Sequence, residues 1–349
     1  MRHIHRLAYL TLLPIALAAC NGGGGDSAPN GTSQTPQTGS DSAQYSGTLF
    51  FSGDNRTIYK LEMSNGRQTA LFNSDSTPVN QVEADASRSY TGLADGSLAV
   101  TFGRYNTATL DTHYFSKRYS AGNSNALFPE QIDGEFQGNP RPSPNGQMLM
   151  LDWRQAGYEN VDAAKTLRIF GSTGEVLAEY PQRPAQAIWL PDNRPLFVDT
   201  DGGIYIDNAS FSQITRLGTT PNGALPSAVA ASPDGKKLAL VMADKNIWTI
   251  NLDGSNATAV TQVADTGFDI RRPSWSPDGR YLAFVYKKAP SAMGWGGGCD
   301  VIWVIPASGS TRVDPYRDST DNLLLDNQGK ARCATWSQAT NSFAFLDWK

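Results

Sequence analysis

The sequence predicts an all-β fold: a six-bladed β-propeller of four-stranded antiparallel blades, closed by strands from the N- and C-terminal ends of the domain. Three observations predict it. Two strand-and-turn units alternate along the chain, six copies of each, with seven blades as the alternative count. Glycine and proline number 33 and 20 of 349 residues, which suits short strands and tight turns. Tryptophans recur at fixed places in the repeat: Trp189, Trp275 and Trp336 before one turn, Trp248 and Trp303 in another strand.

The first unit is an apolar strand, a Pro/Asp/Gly turn and a second apolar strand. It occurs as Ser143-Pro144-Asn145-Gly146, Leu190-Pro191-Asp192-Asn193, Ser232-Pro233-Asp234-Gly235 and Ser276-Pro277-Asp278-Gly279. Degenerate copies are read at Asp85-Ala86-Ser87-Arg88 and Ser337-Gln338-Ala339-Thr340. Proline presets φ, Asp or Asn bonds its own backbone, and glycine accepts the positive φ that reverses the chain. The second unit is an apolar strand ending in a small-residue turn. Ile247 to Gly254, Ile302 to Gly309, Leu167 to Gly174 and Phe115 to Gly122 share a separation of seven, and Ile58 to Gly66 is one longer. Ile204-Tyr205-Ile206 before Asn208 is the copy without glycine. A lone blade cannot bury both faces, so blades must stack around an axis, with the repeated tryptophans packed between them.

Ring closure follows from the ends. Cys333–Trp336 and Ser342–Leu346 are expected as the first two strands of a blade whose later strands are Thr57 to Phe72. Thr48-Leu49-Phe50-Phe51 is surplus to that count, and replaces or flanks the C-terminal strand. Joining the ends removes exposed edges.

Before the propeller, Arg2 and Arg6 precede the apolar run Leu7 to Ala16, a pattern of secretory signals too short to span a bilayer. Leu17-Ala18-Ala19-Cys20 resembles the lipobox of bacterial lipoproteins. The resemblance implies a signal peptide over 1–19, a lipidated Cys20 as the new N-terminus, and stable membrane attachment through several acyl chains (palmitate among them). Asn21 after the cysteine implies the outer membrane, periplasm-facing, with cell-surface exposure as the alternative. The rest of 20–45 is Gly, Ser, Thr, Pro, Asn, Asp and Gln, a flexible tether with a reach of roughly 25–30 Å. The propeller then occupies 46–349.

Ser274-Trp275-Ser276-Pro277-Asp278-Gly279-Arg280, followed by Tyr281-Leu282-Ala283-Phe284-Val285, resembles the repeat of TolB-type (WD40-like) propellers. Ser232 to Leu240 resembles it again; the likeness is clear over 227–310 and thinner elsewhere. It implies fold and a tendency towards protein partners, and carries no functional residue across. A tether and a lipid site stand where TolB has an additional α/β domain.

Chemistry-bearing residues are few. Apolar residues make up 40% and charged residues 18%, and the net charge of −4 includes no basic block, so nucleic-acid binding is not expected. His3 and His5 leave with the signal, and His113 alone cannot build a multi-histidine metal site; it reads as structural. No Gly-x-Ser-x-Gly, P-loop or His-Glu-x-x-His signature occurs, and no cofactor or metal is expected. Cys299 and Cys333 are an even pair for an oxidising compartment. In a propeller both end connections on one face of neighbouring blades, which predicts a disulfide worth ~3–4 kcal/mol.

That face also carries the longer insertions, holding Trp295, Trp153, Arg154, Tyr158, Arg104 and Tyr105 as candidate partner-binding residues. Trp295 among glycines reads either as an aromatic anchor or as a loop folded over the channel. Asp199-Thr200-Asp201-Gly202 reads as a hairpin, its spacing unlike a calcium loop, and Arg271-Arg272 and Arg312 read as solvated edges. The expected function is a non-catalytic, lipid-anchored module of the cell envelope for protein binding or assembly. The alternatives are a glycan-processing enzyme of the polysaccharide-lyase kind, with a glycan or small-molecule ligand, and a purely structural envelope protein.

Overall fold

Six sheets follow one another around an axis in the computed structural model, within the unit Pro36–Lys349. It describes residues 45–52, 57–73, 83–106, 111–120, 123–133, 141–153, 166–181, 184–264, 269–288, 299–314 and 345–349. Blade 1 takes Leu346–Trp348 as its innermost strand, then Thr48–Ser52, Thr57–Glu62 and Gln68–Asn73 outward. Blade 2 is Glu83–Gly92, Leu98–Asn106, Asp111–Ser120 and Asn123–Asp133. Blade 3 is Arg141–Pro142, Leu149–Trp153, Thr166–Phe170 and Val176–Tyr180. Blade 4 is Gln186–Trp189, Pro195–Val198, Gly203–Asp207 and Ile214–Thr219. Blade 5 is Ala228–Ala231, Lys237–Val241, Ile247–Asn251 and Thr258–Ala259. Blade 6 is Arg271–Trp275, Tyr281–Lys288 and Cys299–Pro306. Six blades is therefore the count.

Two details differ from the sequence expectation. The C-terminal end supplies one strand of the closing blade, and Thr48–Ser52 is its second strand; the segment Cys333–Trp336 lies outside the described residues. The first and second strands of that blade come from opposite ends of the domain instead of a shared turn, with Thr48 and Lys349 exchanging backbone hydrogen bonds at 2.5 and 2.8 Å. The turn of blade 2 is Leu93-Ala94-Asp95-Gly96-Ser97, where Gly96 N–H donates to Leu93 C=O at 3.0 Å. Asp85–Arg88, read as that turn, is inside a strand. An Asp-Gly pair with φ of 75° at Gly96 makes the reversal without the proline that the repeat pattern emphasises.

The fourth strand of blade 6 also departs from an antiparallel blade. Thr311–Val313 pairs in parallel with Thr261–Val263, the continuation of blade 5's outer strand. Val260 and Val313 are both buried in the cluster between these two blades, so burying them draws the strand across the boundary.

The core consists of six apolar clusters, one between each neighbouring pair of blades. Strand alternation explains them, because successive side chains point to opposite faces of a sheet. Leu49 and Phe51 pack against Ala283, Val285, Ile302 and Val304 of blade 6. Phe50 between them packs against Leu98 and Val100 of blade 2. Leu282, Phe284 and Trp303 face the other way, against Val241 and Ile247 of blade 5. Strands buried on both sides must read as unbroken apolar runs, which is how these appear. Trp275 and Trp189 each donate an indole N–H to the innermost strand of the preceding blade, at 3.2 Å to Ala230 C=O and 2.8 Å to Arg141 C=O. The repeated tryptophan is an inter-blade contact.

The Ser-Pro-Asx-Gly turn owes its residue types to hydrogen bonding. In blade 6, Ser276 Oγ donates to Asp278 at 2.6 Å and accepts from Tyr281 N–H at 2.9 Å. Asp278 also accepts from Arg280 N–H at 3.0 Å, while Gly279 stands at φ 70°. Ser232/Asp234 and Ser143/Asn145 repeat the arrangement, and in blade 4 Asn193 at φ 66° replaces the glycine. In Asp234 the Ser232 hydroxyl lowers the carboxyl pKa against an opposing burial effect. In Asp278 and Asp192 burial raises it, but the local hydrogen bonds and the Arg280 or Arg194 charge outweigh that. Since all three folded values are lowered, their contribution is complete above the unfolded value of about 3.9 and is lost as pH falls through the lower folded values. Urea midpoints are accordingly expected to drop below about pH 4, and Asp234→Asn should flatten the drop. An unchanged slope in that variant would count against the turns as its source.

Candidate functional site

Antiparallel blades sort their connections between two faces of the disc. First-to-second and third-to-fourth turns share one, the turn face. Second-to-third and blade-to-blade connections share the other, the loop face. Trp153 ends a second strand and Cys299 begins a third, so their backbones lie at the loop face. Arg104 and Tyr105 lie there too, near the end of blade 2's second strand, paired with Asp85 and Ala84. The side chains of these four residues, and all of Trp295, Arg154, Tyr158, Cys333 and Cys20, lie outside the described residues. His113 pairs by backbone with Arg104, its side chain likewise undescribed. Asp199–Gly203 is a hairpin, closed by Gly202 N–H to Asp199 C=O at 3.0 Å. Arg312, exposed, pairs with Asp314 at 3.6 Å.

Where the innermost strands meet, they enclose a channel of about 870 Å³ lined by residues of all six blades. Its two mouths differ. The turn-face mouth is ringed by Pro144, Pro191, Pro233 and Pro277, the prolines of the repeated turn. Proline fits there because it is the second residue of each turn, where its φ is preset and the turn's hydrogen bond needs no N–H from it. Basic side chains gather at the loop-face mouth. Arg141 donates to the buried carboxylate of Asp152 at 2.7 Å, and Lys245 pairs with Asp269 at 2.6 Å. Arg271 and Arg272 open the innermost strand of blade 6.

Arg271-Arg272 is a solvated edge, as expected, with Arg272 exposed and Arg271 half-buried, but it is the inner edge of its blade, and both residues line the channel. The register of their strand shifts between Arg271 and Ser274, and Arg272 sits at φ 53°. A left-handed arginine is uncommon, and the following Pro273 favours extended backbone in the residue before it. At this bulge Arg272 lines the channel and stays exposed to solvent. Burial first, then the adjacent Arg271 charge, pushes its guanidinium below the ordinary arginine value. Among the described residues none hydrogen-bonds or ion-pairs with that guanidinium. Arg141, Lys245, Arg271, Arg272 and Lys349 of the lining stand against Asp269, Asp347 and Arg141's partner Asp152, five basic groups to three acidic in a chain of net charge −4. Among the described residues no three metal-ligating side chains come together.

No protein-family model matches the chain, and no curated protein matches its sequence. Solved structures do resemble it in fold. A putative TolB from Agrobacterium tumefaciens is 16% identical with a TM-score of 0.42, over 76% of this chain and 86% of that one. An oligogalacturonate lyase from Vibrio parahaemolyticus is 13% identical with a TM-score of 0.44, over 68% and 74%. The β-propeller domain of the Trilobed protease from Pyrococcus furiosus is 12% identical with a TM-score of 0.44, over 72% of each. The six-bladed arrangement itself stands on the strand pairing above.

Proposed function

We propose that this chain is a lipid-anchored propeller of the bacterial cell envelope, held through Cys20 at the outer membrane and facing the periplasm. It binds envelope proteins through the loop face and does no catalysis. One observation carries the reading: the chain enters the propeller on the turn face. Gly47 packs against Lys349 C=O and the Pro277 ring, and Trp348 donates its indole N–H to Ser46 C=O at 2.8 Å. A tether joined at Tyr45 meets the disc on its turn face, and in this reading that leaves the loop face free for a partner. A Cys299–Cys333 disulfide, in this reading, pins the loops that meet the partner. The second reading, a glycan-processing enzyme, draws on a channel whose volume lies within the range of small-ligand sites.

Crosslinking in whole envelopes, followed by capture of the tagged protein, tests the proposal. Wild type and Arg280→Ala, a turn-face variant, are expected to retain the same crosslinked proteins, and Trp295→Ala to lose them. Identical capture by all three overturns the loop face as the binding surface. Cys20→Ser should move the protein from the membrane to the soluble fraction; unchanged fractionation overturns the anchor.

A further inference from the structure

We propose that the loop-face mouth of the channel is an oxyanion site in which Arg272 is the ligand-binding side chain. The ligand is a small soluble molecule bearing a carboxylate or phosphate group. This goes beyond the protein-binding reading and does not depend on it.

Four observations converge on Arg272. Its backbone is left-handed at a bulge, directly before a proline. Unfavourable backbone of this kind persists when the surrounding structure holds it, and such positions cluster at ligand sites. The side chain lines the channel, exposed to its solvent, and no described residue neutralises it. The other basic groups at this mouth are accounted for differently: Arg141 is committed to Asp152 and Lys245 to Asp269. Arg271, the adjacent lining residue, adds a second positive charge and makes the solitary guanidinium costlier still.

A guanidinium in this setting suits an oxyanion. Its planar fork donates two parallel N–H groups to carboxylate or phosphate oxygens, and partial enclosure strengthens charge-assisted bonds relative to bulk water. The surplus positive charge of the lining draws anions towards the mouth. Gln186 and Ser227, at the same end of the innermost strands of blades 4 and 5, offer neutral polar groups for the rest of the ligand. Among the described residues lining it, the proline-ringed opposite mouth has no comparable group of side-chain donors.

Calorimetric titration of the full chain at low ionic strength, with citrate and with inorganic phosphate in separate arms, tests the proposal. At least one anion is expected to bind; citrate alone marks a carboxylate ligand and phosphate alone a phosphate ligand. Arg272→Gln should weaken binding about tenfold or more, the scale of a lost charge-assisted hydrogen bond. Arg272→Gly should do the same, and it keeps the test open if the glutamine variant folds poorly, because glycine adopts this φ freely. Arg216→Gln, which removes an exposed arginine 3.7 Å from Asp201, should bind as wild type. No heat with either anion, equal affinity in both Arg272 variants, or equal loss in Arg216→Gln would overturn the site.

Discussion

Replacing Trp348 by alanine is expected to lower the free energy of unfolding by about 3–5 kcal/mol, the usual cost of deleting a buried tryptophan. Trp348 is 2% exposed in the strand that closes the ring. It belongs to the cluster between blades 1 and 6, and Tyr45 meets its ring edge-on at 6.0 Å. Its backbone N–H donates to Ser274 Oγ of blade 6 at 2.8 Å, and its indole anchors Ser46. Next to it, Asp347 accepts the N–H of Gly92 in blade 2 at 2.8 Å. One three-residue strand thus connects blades 6, 1 and 2, and loosening it opens the circle. Urea unfolding checks this; a loss below about 1 kcal/mol, the level of an ordinary exposed substitution, would place closure elsewhere.

Arg141→Met is expected to cost about 3 kcal/mol, because it leaves a carboxylate buried without its cation. The Asp152 side chain is 3% exposed, and Arg141 Nη2 lies 2.7 Å away. Methionine keeps much of the arginine stem volume, so the loss isolates charge from packing. Adding Asp152→Asn should recover a large share of the stability, since a neutral amide tolerates burial better than a carboxylate deprived of the Arg141 charge. A double variant no more stable than Arg141→Met alone would contradict that account. Anion binding at Arg272 should survive in the double variant, because the two arginines sit on different blades.

The legible part of this protein was its periodic part. The Pro-Asx-Gly turns and the apolar runs around them repeat because the same local problem recurs in each blade, and six of each gave both fold and count. Asp85–Arg88 is strand rather than turn because the blade 2 copy lacks the Ser-Pro pair that marks the others, and its reversal is at Asp95-Gly96 instead. The parallel pairing of Thr311–Val313 could not be read from local pattern, since it depends on which neighbour buries Val313. Arg272 shows the same limit at the candidate site. Two adjacent arginines look like an outer edge until Trp275 is set beside Trp189. Counting back three places then puts Arg272 level with Gln186, on the innermost strand. The positive φ that singles it out has no signature in its residue type.

The meeting of the chain ends also has a mechanical side. Thr48–Ser52 lies between two antiparallel neighbours, Leu346–Trp348 and Thr57–Glu62. A pull applied at Tyr45 runs along that strand, so the flanking hydrogen bonds, which lie across it, are loaded together in shear. An outer strand pulled from its end would instead release its bonds one after another, like a zipper. Entry of the chain at an interior strand lets the disc bear tension applied at Tyr45 without peeling apart.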